Sequence, residues 1–289
     1  MMKYHMLFNP KSNNGHGSEE VEKAVEKLTS GKSPAPEIIK QDITAIDIRQ
    51  YIPDKTAADD VIFICGGDGT LNRFVNDTDG LEINRRIDYY ATGTGNDFFR
   101  DLGIEKGNIA EDIGKYITNL PKVTVKGKTY RFFNNVGFGI DGYCSEVGDK
   151  ERAAGKTKIN YAGIAIKGLL FHFKPANAVV TIDGKKTEYK KVWLAPTMKG
   201  RFYGGGMMPV PTQDRNAADG SLSVLVWHGS GKLKTLMIFP NIFKGEHLKA
   251  TKYCESFSGK KIHVSFDRPC ALQIDGETLL DVTEYSVEA

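Results

Sequence analysis

The chain has 289 residues, of which 40% are hydrophobic and 26% charged, and its formal net charge is +3 at pH 7. This length and composition are typical of a soluble globular protein with one large or two ordinary domains. The weak positive charge gives no argument for a nucleic-acid partner, although it would not oppose an anionic membrane surface. No run approaches the ~20 apolar residues of a membrane span, so we expect no transmembrane segment.

The start of the chain and its cysteines indicate the compartment. The first nine residues lack the long apolar core and cleavage site of a signal peptide. The four cysteines show no CxxC spacing and no dense framework, which favours reduced thiols. The six histidines show no metal-site spacing. We therefore expect a cytoplasmic protein.

The first 120 residues alternate predicted strands with predicted helices. We predict strands at residues 4–8, 38–39, 61–65 and 87–91. Between them we predict a helix capped by Ser18, whose apolar residues continue to Leu28 at helical spacing, and a short helix over residues 46–51. This alternation predicts a parallel sheet covered by helices, in which ligands bind beyond the carboxyl ends of the strands.

After Pro121 the pattern changes to short β-rich runs divided by Gly and Asp turns. We predict strands at residues 122–125, 129–136, 179–182, 191–195, 222–227, 261–266 and 271–274. One amphipathic helix, around residues 159–172, interrupts them. The predicted fold class is thus α/β plus all-β, with a three-layer α/β domain followed by an antiparallel β-sandwich.

The sequence Gly66-Gly67-Asp68-Gly69-Thr70 directly follows the apolar run at residues 61–65. Its three glycines allow sharp turns and the approach of backbone N–H groups to an anion, and a helix can begin just after it. A carboxylate inside a phosphate-binding loop would repel phosphate, so Asp68 suggests a magnesium ion or an ordered polar network. The alternative is an ordinary connection between a strand and a helix.

Two further loops emerge from the same predicted sheet edge. Residues 9–12 (Asn-Pro-Lys-Ser) place a cation, Lys11, before a helix, although a lysine at such a position is often merely exposed to solvent. Residues 94–97 (Thr-Gly-Asn-Asp) could offer a hydroxyl and backbone donors to phosphate, with Asp97 near Asp68. They are equally consistent with a helix N-cap before Phe98.

Several motifs lie in the β-rich half. Residues 137–142 match GxGxxG, which we interpret as a tight turn between domains. Asp275-Gly276 resembles the Asp-Gly pairs at 141–142 and 183–184, so a hairpin turn is the simplest reading. A phosphoryl-transfer enzyme would, however, need a general base such as a nearby carboxylate. An irregular segment with Asp214 and Asp219 could hold a hard cation or be a flexible loop.

Taken together, the motifs resemble those of diacylglycerol kinase catalytic-domain proteins, in particular the soluble bacterial lipid kinases. The matching motifs, in the family's order, are Asn9-Pro10, residues 66–70, residues 94–97, Gly204 to Met207, Asp219-Gly220 and Asp275-Gly276-Glu277. The resemblance implies a first domain similar to phosphofructokinase and NAD kinase, a β-sandwich second domain and an active site between them. The implied domains are residues 1–122, with about 283–289 returning to them, and residues 123–282.

The resemblance also implies roles for individual residues. The ATP-binding residues would be Asn9, Lys11, Ser12, Gly66, Gly67, Asp68, Gly69, Thr70, Asn72, Thr94, Gly95 and Asn96. Asp68 would organise catalytic Mg2+-ATP, with Asp97, and Glu277 would accept the proton, with Asp275 as its partner or competitor. A second, structural Mg2+ would use Asp219 with groups at Asn216 and Ser221. The family's Asp-Asp-Gly is Ala218-Asp219-Gly220 here, one acid short.

We therefore expect an ATP- and Mg2+-dependent lipid kinase that acts on a lipid at a membrane surface, with diacylglycerol giving phosphatidic acid as the leading reaction. The alternatives are a kinase of a sphingoid base, another lipid alcohol or NAD, and a nucleotide- and lipid-binding protein that has lost catalysis. Residues 171–174 and 201–203 are candidate membrane contacts, or core. Dimers are common in the family, which is the only basis for expecting a homodimer.

Overall fold

The computed structural model describes residues 2–31, 33–93, 95–156 and 159–289, without the side chains of Asn13 and Asn14. The chain forms two compact units, Met1–Asn119 and Leu120–Ala289. Within the described ranges, no helix is both long enough and apolar enough to cross a membrane. All four cysteines are free, and Cys65, Cys144 and Cys254 are buried.

The first unit contains a five-stranded sheet in the order β2-β1-β3-β4-β5, in which β1 to β4 run parallel and β5 is antiparallel to β4. Its strands are β1 (Lys3–Phe8), β2 (Glu37–Asp42), β3 (Val61–Gly66), β4 (Arg86–Ala91) and β5 (Ile109–Ala110). Its helices are α1 (Ser12–Gly15), α2 (Gly17–Thr29), α3 (Ile48–Lys55), α4 (Asp68–Asp77), α5 (Asp97–Asp101) and α6 (Gly114–Ile117). The predicted alternation of strands and helices is confirmed.

Burial explains these elements. Every residue of β3 is buried, as expected of a central parallel strand, and α2 buries Val21, Ala24 and Leu28 against the sheet. The prediction that Ser18 caps α2 is wrong, because the helix begins at Gly17. A Cβ atom at Gly17 would lie 2.1 Å from the carbonyl oxygen of Asn9, so glycine permits the close approach that starts the helix there.

The second unit contains an antiparallel ten-stranded sheet of sandwich-like form. Its strands are β6 (Lys122–Val125), β7 (Lys128–Arg131), β8 (Asn135–Gly139), β9 (Ala176–Ile182), β10 (Lys185–Val192), β11 (Leu194–Met198), β12 (Leu222–Trp227), β13 (Cys254–Gly259), β14 (Lys261–Ile274) and β15 (Glu277–Glu288). The first half of β14 pairs with β9 and the second half with β8, so this strand links both parts of the sheet around one apolar core.

The helices of the second unit enclose another apolar cluster, around Trp193 and Trp227. They are α7 (Ile140–Ala153), α8 (Tyr161–Lys167), a π-helical turn (Gly168–His172), α9 (Lys232–Ile238) and two 3-10 helices (Phe239–Lys244 and Glu246–Lys249). The predicted helix over residues 159–172 therefore exists as α8 and the π-helical turn. Its last turn widens from α to π geometry at Gly168.

Two expectations for this half are wrong. Residues 137–142 do not form a turn between domains, because β8 runs directly into α7 within the second unit. Residues 283–289, which were expected to return to the first domain, belong to the second unit. They continue β15, where Tyr285 pairs with Val264 and Val287 with Ile262, and both side chains are buried in the second unit's core. That burial explains why the end of the chain stays with the second sheet.

Candidate active site

Three loops lie side by side at the carboxyl edge of the first unit's sheet. β1, β3 and β4 are neighbours, so the segments that follow them, residues 9–12, 67–70 and 92–97, are adjacent. The structure describes all of these residues except Thr94, which lies outside the described ranges. The predicted convergence of the loops on one edge therefore follows from the strand order.

The turn after β3 requires glycine. A Cβ atom on Gly66 would lie 2.3 Å from the Thr70 Oγ1 atom, closer than any side chain allows. The Gly66 carbonyl accepts hydrogen bonds from the Thr92 N–H (2.9 Å) and from the buried Tyr89 hydroxyl (3.1 Å). These contacts fix the turn, and α4 begins immediately afterwards at Asp68, so the positive end of its dipole lies at the loop.

The second and third loops meet at Asp68. A Cβ atom on Gly93 would lie 3.0 Å from the Gly67 Cα atom, which shows how closely the two backbones approach. The Asp97 N–H donates to the Asp68 Oδ2 atom at 3.3 Å. The structure thus brings together the two acids that the sequence suggested as neighbours, and Asp97 is buried.

The third loop holds polar atoms with unused bonding capacity. Asn96 has left-handed backbone geometry (φ 46°) and precedes α5, but its side chain makes no capping hydrogen bond. Its buried Oδ1 atom and the buried Thr92 Oγ1 atom have no hydrogen-bond partner in the part of the chain that the structure describes. Buried oxygens without a hydrogen-bond partner are rare in proteins, and a bound water or ion or a catalytic role is among the explanations for them.

The first loop is held by its own asparagine. The Asn9 Oδ1 atom accepts from the Lys11 N–H (2.9 Å), and the Asn9 carbonyl accepts from the Ser12 N–H (3.0 Å). Lys11 is exposed at this edge. Asn72 lies one turn into α4, where its carbonyl accepts from the Asn76 side chain at 2.9 Å, so it sits behind the loop.

The two acids of the Asp275-Gly276-Glu277 motif have different environments. They lie at the β14–β15 hairpin, whose turn residues Asp275 (φ 48°) and Gly276 (φ 93°) adopt left-handed geometry, as the Asp-Gly pattern predicts. The Asp275 Oδ1 atom accepts from the N–H groups of Asn134 (2.8 Å) and Asn135 (2.9 Å), and its Oδ2 atom from that of Phe133 (2.8 Å). This buried carboxylate therefore anchors residues 133–135.

Glu277, in contrast, is exposed at the start of β15. Partial desolvation raises the pKa of its carboxyl above the ordinary value of 4.5, and the negative charge of Asp149 raises it further, whereas Arg152 lowers it. A carboxylate with a raised pKa binds a proton more readily, which suits a general base. Of the two acids, Glu277 thus has the properties of a base.

The two charged residues that shift the pKa of Glu277 lie on α7 and were not identified from the sequence. Asp149 accepts a hydrogen bond from the Thr278 hydroxyl (2.6 Å) and one from the Arg152 guanidinium (2.7 Å), and Arg152 also donates to Tyr161. The available signal was the Asp149–Arg152 spacing of three residues. That spacing brings two side chains together only on a helix, and α7 was not predicted because glycines lie at and before its start.

A second missed group is Asp141, in the first turn of α7. Burial raises the pKa of its carboxyl from 3.8 to about 6, against hydrogen bonds that include those from the Gly142 N–H and the Gln273 side chain. A Cβ atom on Gly137 would lie 2.6 Å from the Asp141 Oδ2 atom, and one on Gly142 would lie 2.0 Å from the Ala271 carbonyl oxygen. The glycines of the GxGxxG match thus allow α7 to pack against the sheet.

The predicted structural metal site lies in an exposed loop before β12. The Asp219 Oδ1 atom accepts from the Ser221 N–H (3.0 Å), which holds the pKa of Asp219 below its ordinary value, and the Asn216 N–H donates to Asp214 (2.9 Å). Within the described ranges, no group of three or more His, Cys, Asp and Glu side chains is arranged to hold a metal ion. Asp219 as a metal ligand stays a prediction.

Buried Arg215, also missed in the sequence, supports the segment that Asp275 anchors. Its guanidinium donates to the Phe133 carbonyl oxygen and to the Asn134 Oδ1 atom (2.9 Å). The Asn134 carbonyl in turn accepts from the Lys199 N–H at 2.8 Å. An isolated arginine in an irregular loop carries no signal of such a role.

Comparisons with known proteins agree with this architecture. Residues 3–126 match the diacylglycerol kinase catalytic domain, and residues 134–286, more than half of the chain, match the YegS C-terminal NAD kinase beta sandwich-like domain. A diacylglycerol kinase of Mycobacterium tuberculosis is 26% identical over 266 residues, which cover 89% of this chain and 83% of that protein.

Solved structures show the same fold. A diacylglycerol kinase structure from Bacillus anthracis superimposes with a TM-score of 0.62 at 21% identity, and covers 99% of this chain and 93% of its own. Another structure from that organism gives a TM-score of 0.69 at 23% identity, covering 99% of this chain and 91% of its own. The chain therefore belongs to the diacylglycerol kinase catalytic-domain family of lipid kinases.

Proposed function

We propose that this kinase transfers the γ-phosphate of ATP to a lipid hydroxyl, with diacylglycerol as the acceptor and phosphatidic acid as the product. The observation that carries the proposal is the division of roles at the hairpin, where Asp275 is occupied by three backbone N–H groups and Glu277 is exposed with a raised pKa. A hydroxyl group must lose its proton as it attacks a phosphoryl group, and Glu277 is suited to accept that proton.

The first unit would bind the nucleotide. The Gly66 turn, the N-terminus of α4 and the cation of Lys11 favour the phosphates of ATP. The Oγ1 atom of Thr92 lacks a hydrogen-bond partner in the described ranges and can donate to a phosphate oxygen. The backbone donors near Gly95 and the hydroxyl of Ser12 would complete this set.

The residues around Asp68 fit a magnesium ion. The carboxylates of Asp68 and Asp97 and the Asn96 Oδ1 atom are all oxygen donors, which Mg2+ prefers. Bound there with ATP, Mg2+ would neutralise charge on the transferring phosphate. We also propose a second, structural Mg2+ at Asp219, whose carboxylate accepts a hydrogen bond from the Ser221 N–H.

The identity of the hydroxyl-bearing acceptor is a separate part of the proposal. The named relative from Mycobacterium tuberculosis supports diacylglycerol. A sphingoid base, another lipid alcohol and NAD are the alternative acceptors. A lipid acceptor requires at least transient contact with a membrane surface, which we include in the proposal. We also propose a homodimer, by analogy with the family.

The test is a transfer assay with γ-labelled ATP and Mg2+ against diacylglycerol, a sphingoid base and NAD. We expect labelled phosphatidic acid from the first, at least tenfold faster than any other product, and no transfer after chelation of Mg2+. Labelling of NAD or of the sphingoid base alone would contradict the proposed acceptor. Absence of transfer to every acceptor, with ATP binding intact, would favour the binding protein without catalysis.

A further inference from the structure

Four large apolar side chains are exposed on neighbouring helical segments of the second unit. They are Phe171 (71% exposed), Leu233 (73%), Met237 (72%) and Phe243 (44%), which we call the apolar patch. Phe171 belongs to one of the two segments, 171–174 and 201–203, that the sequence suggested as membrane contacts, whereas Phe173 and Tyr203 of those segments are buried. Large apolar side chains exposed on adjoining elements mark a surface that contacts a membrane or another protein.

The patch is built on one packed group of helices. α9 packs against the π-helical turn that carries Phe171 and against the 3-10 helix that carries Phe243. The Lys232 ammonium donates to the Leu170 carbonyl at 2.9 Å, and this hydrogen bond links α9 to the π-helical turn. The opposite face of α9 packs into the second unit, where Thr235 and Ile238 are buried. Leu233 and Met237, one turn apart, are therefore left on the outer face.

The segments that carry the patch are mainly positive. Residues 161–174 contain two lysines and no acid, and residues 231–253 contain five lysines and one acid, Glu246. Glu246 is paired with Lys249 at 2.6 Å. The whole chain, in contrast, has nearly balanced charges, with 39 Lys and Arg against 36 Asp and Glu. The segments that carry the exposed apolar side chains are thus rich in lysine and poor in acids.

We propose that the apolar patch is the surface by which this protein docks on an anionic lipid bilayer. The proposal rests on the proposed function, since it names the surface that brings a lipid kinase to its acceptor. Phe171, Leu233 and Met237 enter the boundary between head groups and acyl chains, and the flanking lysines stay at the anionic head groups. Each such lysine strengthens binding about fivefold at low salt. The combination of exposed apolar side chains and lysines matches the acyl chains and the anionic head groups of such a bilayer.

The first experiment measures sedimentation of the full chain with vesicles of phosphatidylcholine alone or with phosphatidylglycerol. We expect binding to the mixed vesicles that falls with added salt. The double variant Leu233→Ser with Met237→Ser should bind on the order of 100-fold more weakly, because two apolar side chains are lost from the bilayer. The control is Leu280→Ser, which removes an exposed apolar side chain on β15 (50% exposed) outside the patch. Unchanged binding by the double variant would overturn the proposal.

The second experiment separates charge from apolar contact. The variant Lys234→Glu with Lys244→Glu should lose binding to phosphatidylglycerol vesicles, whereas the same exchange at exposed Lys185 and Lys186 of β10 should not. Equal loss from both pairs would show that only net charge matters and would contradict a localised surface.

The third experiment observes insertion directly and does not depend on loss of binding. In Met237→Trp, the new indole should be quenched by brominated acyl chains, while the buried Trp193 and Trp227 of the parent protein should not. Absence of quenching in bound protein would overturn the proposal. The proposal would also be overturned if Leu233→Ser with Met237→Ser converted a dimer into a monomer in the absence of vesicles. The patch would then be a contact between two copies of the chain.

Activity distinguishes failure of this inference from failure of the proposed function. The double variant should keep its transfer rate on a short-chain diacylglycerol dispersed as monomers and lose at least tenfold on diacylglycerol in mixed vesicles. An equal loss on both substrates would contradict a docking role. Absence of transfer by the parent protein on either substrate would refute the proposed function, and the binding and quenching results would still decide whether the patch docks.

Discussion

Substitution of Asp275 by asparagine should separate structural support from catalysis at the hairpin. The Asp275 carboxylate accepts three backbone N–H groups, from residues 133, 134 and 135, and is buried. Asparagine keeps one acceptor oxygen but places an NH2 group opposite the Phe133 N–H. Asparagine also tolerates the left-handed backbone that Asp275 adopts, so the turn itself is not strained.

The size of the effect follows from the lost contact. A hydrogen bond to a charged acceptor contributes about 1.5–3 kcal/mol, and a buried donor left without a partner costs about 1–3 kcal/mol. We therefore expect Asp275→Asn to lower the free energy of unfolding by about 3 kcal/mol. At about 2–4 °C per kcal/mol for a unit of this size, the Tm should fall by about 6–12 °C.

The assay compares thermal unfolding and transfer rate for Asp275→Asn and Glu277→Gln. Glu277 is exposed, so Glu277→Gln should leave the Tm within about 1 °C, as surface substitutions usually do. The same variant should reduce kcat by about 10²–10⁴-fold, as expected for loss of a general base. Asp275→Asn, below its Tm, should retain most of its activity. An unchanged Tm for Asp275→Asn, or loss of activity there with normal kcat in Glu277→Gln, would refute the assignment of roles.

Three further predictions concern other parts of the chain. Asp149→Asn should lower the pKa of Glu277 by removing a negative charge, so the acidic limb of the kcat–pH profile should move to lower pH; a shift upward would contradict this. Gly66→Ala should destabilise the first unit by about 1–3 kcal/mol and weaken ATP binding through its clash, whereas Gly114→Ala, whose nearest atom is 3.6 Å away, should do neither in thermal and nucleotide titrations. Burial raises the pKa of Asp141 from 3.8 to about 6, so the folded state binds a proton there more tightly than the unfolded state does. The free energy of unfolding should therefore fall by about 3 kcal/mol as the pH rises from about 4 through 6. Urea unfolding of Asp141→Asn should show a flatter pH dependence than the parent protein, and parallel curves for the two would refute this.

The first unit could be predicted from sequence because its signals are local. Residues 61–65 form a short apolar run bounded by polar residues and glycine, and they became a fully buried strand, β3. The order of the loops at the carboxyl edge then followed from the parallel arrangement. The start of α2 could not be predicted, because it depends on how closely Gly17 approaches Asn9, a contact that no local pattern shows.

The second unit was predicted in class but not in detail. α7 was missed because glycines lie at its start, and glycine is a weak helix former. A Cβ atom on Gly139, the last residue of β8, would clash with the Trp193 carbonyl oxygen, and one on Gly142 of α7 would clash with that of Ala271. Residues 261–266 and 271–274 were predicted as two strands, and Pro269 lies between them. The structure accommodates that proline in one strand, β14, through register shifts between Ser265 and Leu272.

The candidate site shows the same limit. The motif Asp275-Gly276-Glu277 was found from the sequence, but the roles of its acids were left open. The choice depends on N–H groups about 140 positions away in the chain and on the charge of Asp149 in a helix that had not been recognised. Such contacts arise from tertiary packing and cannot be inferred from the spacing of residues.

The central claim is that Glu277 accepts the proton of a lipid hydroxyl during transfer from ATP. The most direct test is a single-turnover measurement of phosphate transfer from bound ATP to diacylglycerol, in the parent protein and in Glu277→Gln, with ATP affinity measured in both. The account predicts equal ATP affinity and a transfer rate at least 100-fold lower in the variant. A transfer rate within threefold of the parent's would contradict it.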